Sequence, residues 1–181
     1  MEDPNSLSRG QTNRAMRSFI VASGLWGAWG QAVGIGTAAF TGFALHMGAD
    51  ESFIALFTSL AYVLALTQIL APFLNAHIRR KKPFIVGLGS IEILLRGSVV
   101  LIPFLFPDEL YLTAMVFLIG ASLFFGHGVS PFYGTWVANA VPEHIRARFT
   151  GRQTILSTVT AMLAGFAIGH FIDLFKGGDE H

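Results

Sequence analysis

The chain has 181 residues, 52% of them apolar and only 13% charged, with a net charge of +1 and a mean hydropathy of +0.57. So few charges do not cover the water-facing surface of a globular domain, and the lack of Cys and of a Gly triplet period excludes a disulfide scaffold and a collagen-like chain. The charges fall in clumps between long uncharged runs, and about 20 apolar residues in a helix cross a bilayer, so an all-α, multispanning membrane helix bundle is predicted.

Residues 1–17 form a polar tail, expected to be disordered, and the apolar run behind it is too long for a signal peptide. Five transmembrane helices are predicted, at approximately 18–46, 52–76, 83–106, 109–141 and 150–174. The first contains a run without acid, Lys or Arg from Phe19 to Leu45, about 40 Å as a helix, so it must tilt or overhang. The second ends at Pro72 and Asn75 and is closed by the basic block Arg79, Arg80, Lys81, Lys82. The third is interrupted only by Glu92 and Arg96. The fourth holds Gly126, Gly128 and Pro131 and is expected to be one kinked helix. A polar segment, PEHIRARFTGR, precedes the fifth, and residues 176–181 form the closing tail.

Arg9, Arg14 and Arg17, the block Arg79 to Lys82, and Arg146, Arg148 and Arg152 would all lie on one side of five spans. The acids Asp50, Glu51, Asp108, Glu109, Asp179 and Glu180 fall on the other. The excess of Lys and Arg then places the N-terminus in the cytoplasm and the C-terminus outside, in a plasma (inner) membrane. These clusters can be topology signals alone, and the block before Pro83 can also meet anionic headgroups; with no soluble domain to present them, nucleic acid is not an expected partner.

Small residues recur every fourth position at Gly24, Ala28, Ala32, Gly36, at Ser122, Gly126, Ser130, Gly134, Ala138, and at Ser157, Ala161, Gly165, Gly169. Such ladders let helix backbones approach closely, either in a static bundle or along sliding surfaces. Counted from the cytoplasmic ends, Gln31, Tyr62, Arg96 and His127 each lie about 18–21 Å deep, and Trp29 is close to that level. All of them fall near the middle of a bilayer, and for Trp29 that is deeper than an interfacial aromatic belt requires. Glu92 and Arg96, four apart with the acid first, suit an intramembrane ion pair; it is either self-neutralised structure or a site of proton or substrate coupling. His127 likewise either bonds a neighbouring helix or belongs to a binding site, and nothing at ligand spacing makes it a metal site. There is no GxxxxGK[ST] loop, no HExxH and no Cys cluster, so neither a cofactor nor an enzymatic activity is predicted.

The order of these features resembles the N-terminal half, helices one to five, of a major facilitator superfamily transporter. LAPFLNAHIRRKKP stands where that family has a pattern like G-x-L-x-D-R-x-G-R-R, matching its basic end but not its Asp and Gly. WVANAVPEHIRARFTGR is similar to W-x-A-D-x-V-P-E-x-x-R-G-R-F-x-G-R of bacterial carriers, with Trp136, Pro142, Glu143, Arg146, Arg148, Phe149, Gly151 and Arg152 in matching places. The resemblance covers roughly Arg17 to Phe175. It implies a secondary transporter of a small solute and a cavity lined by helices one, two, four and five, with helix three peripheral, which makes Trp29, Gln31, Tyr62 and His127 the substrate-cavity candidates. It also implies a chain that is an incomplete fragment, whose partners are the solute, the lipid bilayer and the remaining helices of a carrier or a homo-oligomer. The alternative is a five-span module that oligomerises or binds a membrane partner without transporting anything.

Overall fold

The computed structural model describes residues 9–71, 73, 77, 78 and 81–176, and among these the regular structure is entirely helical. Four helices are long and apolar enough to cross a membrane: Glu51–Leu70, Lys81–Leu105, Asp108–Ala140 and Glu143–Leu174. They coincide with predicted spans two to five. Pro72, Asn75, Arg79, Arg80 and the acids Asp179 and Glu180 lie outside the described residues.

The first predicted span is not one helix. Helix α1 (Arg9–Val33) stops, and α2 (Ala38–His46) starts afresh, with Gly36 between them at a φ of +83° that only Gly adopts without strain. The Thr37 side chain then accepts from the N–H of Phe40 and caps α2. Uncharged residues concealed this break, because Gly34, Gly36 and Thr37 are as acceptable to lipid as the helix formers around them. The tail prediction also changes: Arg9 to Arg17 are helical, a continuation that Gln11, Arg14, Ala15, Met16 and Arg17 favour by propensity.

A reversal joins α2 to α3 (Glu51–Ala65). Gly48 at φ +88° closes α2, with N–H bonds from Met47, Gly48 and Ala49 to the carbonyls of Phe43, Leu45 and Ala44. Asp50 caps α3, accepting from the Phe53 N–H and the Ser52 hydroxyl at 2.7 Å each. Those two bonds, the hydroxyl's first, hold its carboxyl below the usual carboxylate range.

Two spans change pitch partway. Helix α3 tightens to a 3-10 segment at Leu66–Leu70, and α4 (Lys81–Gly97) to another at Ser98–Leu101, before α5 (Ile102–Leu105) completes that span. At the start of each, a hydroxyl donates to the carbonyl three residues back: Thr67 to Leu64 at 2.7 Å and Ser98 to Leu95 at 2.8 Å. Such back-bonding competes with the regular ladder. Helix α6 (Tyr111–Ala140) runs unbroken through Pro131, as a single fourth span requires. The segment PEHIRARFTGR is helix from Glu143 onward, so α7 (Glu143–Lys176) is longer than span five and only a short turn separates it from α6. Pro142 just before the helix and Glu143 in its first turn suit a helix start better than a loop.

The chain divides into two compact units. One comprises residues 1–34 and 136–181, the other 35–135. In the first, α1 lies along α7: the Thr160 hydroxyl donates to the Gly24 carbonyl at 2.6 Å, and the Gln153 amide donates to the Ser23 hydroxyl at 2.9 Å. The ladder foreseen on α1 is only partly the one used, since the face against α7 carries Gly24, Gly27 and Gln31. In the second unit, Phe40, Phe57, Val99, Ile102, Met115, Ile119 and Leu123 form the core, with Phe57 edge-on to Phe40 and Phe53.

Candidate functional site

A polar group lies inside the second unit, where α3, α4 and α6 come together. Glu92 is only 3% exposed, and its Oε1 lies 3.2 Å from Nη2 of Arg96 one turn on. Nε of Arg96 donates to the hydroxyl of Ser122 on α6 at 3.0 Å. Ser122 is fully buried, so the pair predicted within one helix also joins two helices. Gly126 makes room for it: a Cβ there would come 3.2 Å from the Glu92 side chain. Two of the five residues of the α6 ladder, Ser122 and Gly126, thus serve a charged pair rather than a helix backbone, while Ser130 and Gly134 are exposed.

His127 follows Gly126 and turns to another neighbour. Its Nδ1 lies 3.2 Å from Nε2 of Gln68, in the 3-10 segment after α3. An amide N–H donates, so Nδ1 accepts and the ring proton sits on Nε2, which is buried without a hydrogen bond of good geometry; the Ala61 carbonyl faces the ring. Pro131, four residues on, has no N–H to give the His127 carbonyl, which leaves that acceptor free of its usual intrahelical partner. Arg96 is near enough to act on His127 electrostatically. Glu92, Arg96 and Ser122 therefore form one polar cluster, and the His127–Gln68 contact, whose Gln68 is exposed, adjoins it through α6. Every helix that contributes to them has a disturbed ladder close by: Leu66–Leu70 after α3, Ser98–Leu101 after Arg96, and Pro131 after His127.

The other cavity candidates are placed differently. Tyr62 is 75% exposed, and the α3 groups that face α6 are the neighbouring Leu60, against Gly120, and the Ala61 carbonyl. Trp29 and Gln31 belong to the first unit, where Gln31 rests against Gly165 of α7 and Trp29 Nε1 is buried without a partner among the described residues. Equal depth along each helix did not reveal which face each residue occupies. Gln68 was not picked out by sequence, although an amide within an apolar span is a usable signal; Ser122 was noted only as a small residue.

The basic motif before α7 has a structural part. Nη2 of Arg146 donates to the Ala138 carbonyl at the end of α6 at 2.9 Å, tying the turn between the two helices. Phe149 is buried, and Phe19 lies edge-on to it and to Trp136. Arg148, Arg152, Pro142 and Glu143 are exposed, as is Lys82, while Lys81 is half-buried; both lysines open α4. Among the described residues no group of three or more His, Asp or Glu is placed to hold a metal ion. No family model, curated protein or solved structure matches this chain.

Proposed function

We propose that the chain is part of a secondary transporter for a small solute, and that Glu92, Arg96, Ser122, His127 and Gln68 form its solute- or ion-binding centre. The observation that carries this reading is the coincidence of a polar cluster, with Glu92 and Ser122 buried at its heart, with a 3-10 segment on two of the contributing spans and Pro131 within the third. Ionisable groups at membrane depth cost several kcal/mol unless they face protein or water, on the order of 3 kcal/mol for a charge at a helix centre, and discontinuous helices near the midplane are where secondary carriers bind their cargo. The resemblance of WVANAVPEHIRARFTGR to bacterial carriers points the same way. A carrier of that kind calls for further helices, in the same polypeptide or in a second copy.

The test is uptake of a panel of labelled organic acids, amino acids and sugars by the native host, where any further helices are present. Glu92→Gln and His127→Leu are each expected to lower the rate for the transported solute about tenfold or more, the loss of one buried hydrogen-bonded group, at unchanged amounts of protein in the membrane. Uptake untouched by both substitutions would sink the reading. A second reading, a module that binds a membrane partner, rests on the uncovered small face at Ser130 and Gly134, which suits a further helix. It predicts that Gly134→Leu disrupts assembly while the two polar substitutions do nothing.

The proposed orientation has the N-terminus in the cytoplasm and the C-terminus outside, with five crossings, the first over residues 18–46. Because the chain has no Cys, single cysteines report sidedness cleanly. Ser6→Cys and Met47→Cys are expected to be labelled from opposite sides by a membrane-impermeant maleimide. Labelling of both from the same side would reduce the crossings to four.

A further inference from the structure

The Glu92–Arg96 pair carries information about what the centre takes. Arg96 uses Nη2 for a single oxygen of Glu92 and Nε for Ser122, and its Nη1 has no partner among the described residues. Its planar fork is therefore only partly used, and a second carboxylate would complete it in the two-pronged geometry that guanidinium groups favour. Gly126 brings the backbone of α6 against the Glu92 carboxylate and covers that side of the pair, while the Arg96 side chain keeps 15% of its surface exposed, the side from which a competitor reaches the fork.

Resting on the transport reading, we propose that the centre binds a monocarboxylate on Arg96 and that one proton is taken up by Glu92 as it binds. The charges balance in both states. With the pair closed, the Glu92 carboxylate and the Arg96 guanidinium cancel. When a solute carboxylate replaces Glu92 on Arg96, the ion pair between the two side chains breaks and one forms between Arg96 and the solute. Glu92 takes one proton from water, and the net charge stays zero. A monoanion without the proton would leave a buried negative charge, and a cation would pull Glu92 off Arg96 and leave a positive one, and an uncompensated charge is strongly disfavoured in a low-dielectric interior. The other groups facing the pair do not supply the proton site. Ser122 does not titrate, and Nδ1 of His127 is occupied by the amide of Gln68, itself neutral.

The experiment uses the protein purified from its host membrane into lipid nanodiscs, with formate and lactate as probes and glycerol as a neutral control. Binding is measured by calorimetry across a pH series and proton uptake by an indicator dye. Formate and lactate are expected to bind with one proton taken up per ligand, so that above the carboxyl's titration the Kd rises about tenfold per pH unit. Glu92→Gln should bind formate with no proton uptake and no pH slope. Arg96→Lys, which keeps the charge and spares the fold, should weaken binding about tenfold or more through loss of the fork. Formate binding without proton uptake, binding indifferent to Arg96→Lys, or no binding of either carboxylate overturns the proposal. Should uptake in the host still depend on Glu92 and His127 in that event, the transport reading stands and only the carboxylate is wrong; should that dependence also be missing, both fail.

Discussion

Gly27→Ala is expected to open the seam between α1 and α7, whereas Gly24→Ala, one turn away on the same helix, leaves it nearly intact. A Cβ on Gly27 would be driven into the carbonyl of Ser157 and come 2.8 Å from its hydroxyl, and a backbone carbonyl inside a helix cannot turn aside. A Cβ on Gly24 would meet Cγ and Cδ2 of Leu156 at 3.1 Å and Cγ2 of Thr160 at 3.5 Å, all side-chain atoms, which can give by a few tenths of an ångström where a backbone carbonyl cannot. Relief at Gly27 requires the two helices to separate, which stretches the bonds from Thr160 to Gly24 and from Gln153 to Ser23. Overpacking of this kind costs about 1–3 kcal/mol, and the backbone clash puts Gly27→Ala at or above the upper end. At Gly24 the better helix propensity of Ala, roughly 0.8–1 kcal/mol, offsets much of the strain. Thermal unfolding in detergent, with hydrogen exchange across Phe19–Val33, measures both. Equal midpoints for the two variants would contradict the seam.

Arg96→Leu is expected to be more damaging than removing both charges together. With Arg96 gone, Glu92 stays buried beside Gly126 with no counter-charge, and breaking a buried pair from one side costs about 3–5 kcal/mol. The double variant Glu92→Leu/Arg96→Leu replaces the pair with apolar side chains of similar reach, a change that is often close to neutral. Ser122, released from Arg96, can turn its hydroxyl to a carbonyl of its own helix. The predicted order of unfolding temperature is therefore wild type and double variant close together, with Arg96→Leu well below. The same double variant should be inactive in solute uptake, which separates a role in binding from a role in folding. A single variant as stable as the double would mean that the two side chains do not meet in the membrane.

Much of the architecture was legible in the residue order. Spans two to five follow from the spacing of charges, because lipid admits long uncharged helices and little else. Glu92 and Arg96 could be paired from sequence since an i, i+4 spacing on a helix already brings them to one face, and that contact is local. The helical start at Glu143 was hidden by its polarity: eleven polar-rich residues read as a loop, although Pro142 and Glu143 carry the marks of a helix start.

Sequence by itself determined the all-helical, membrane-length class of the chain, the position of its long apolar helices and the Glu92–Arg96 ion pair, whose partners share a helix. Only the tertiary structure decided that Ser122 and Gly126 complete that pair, that Gln68 rather than Tyr62 meets His127, and that Gly27 lies against Ser157 of α7. The reason is physical. Depth in a bilayer and periodicity along a helix depend on one segment at a time, but the face a segment turns inward is set by which other helix packs there. In a chain where the solvent outside is as apolar as the interior, hydrophobicity does not mark that face.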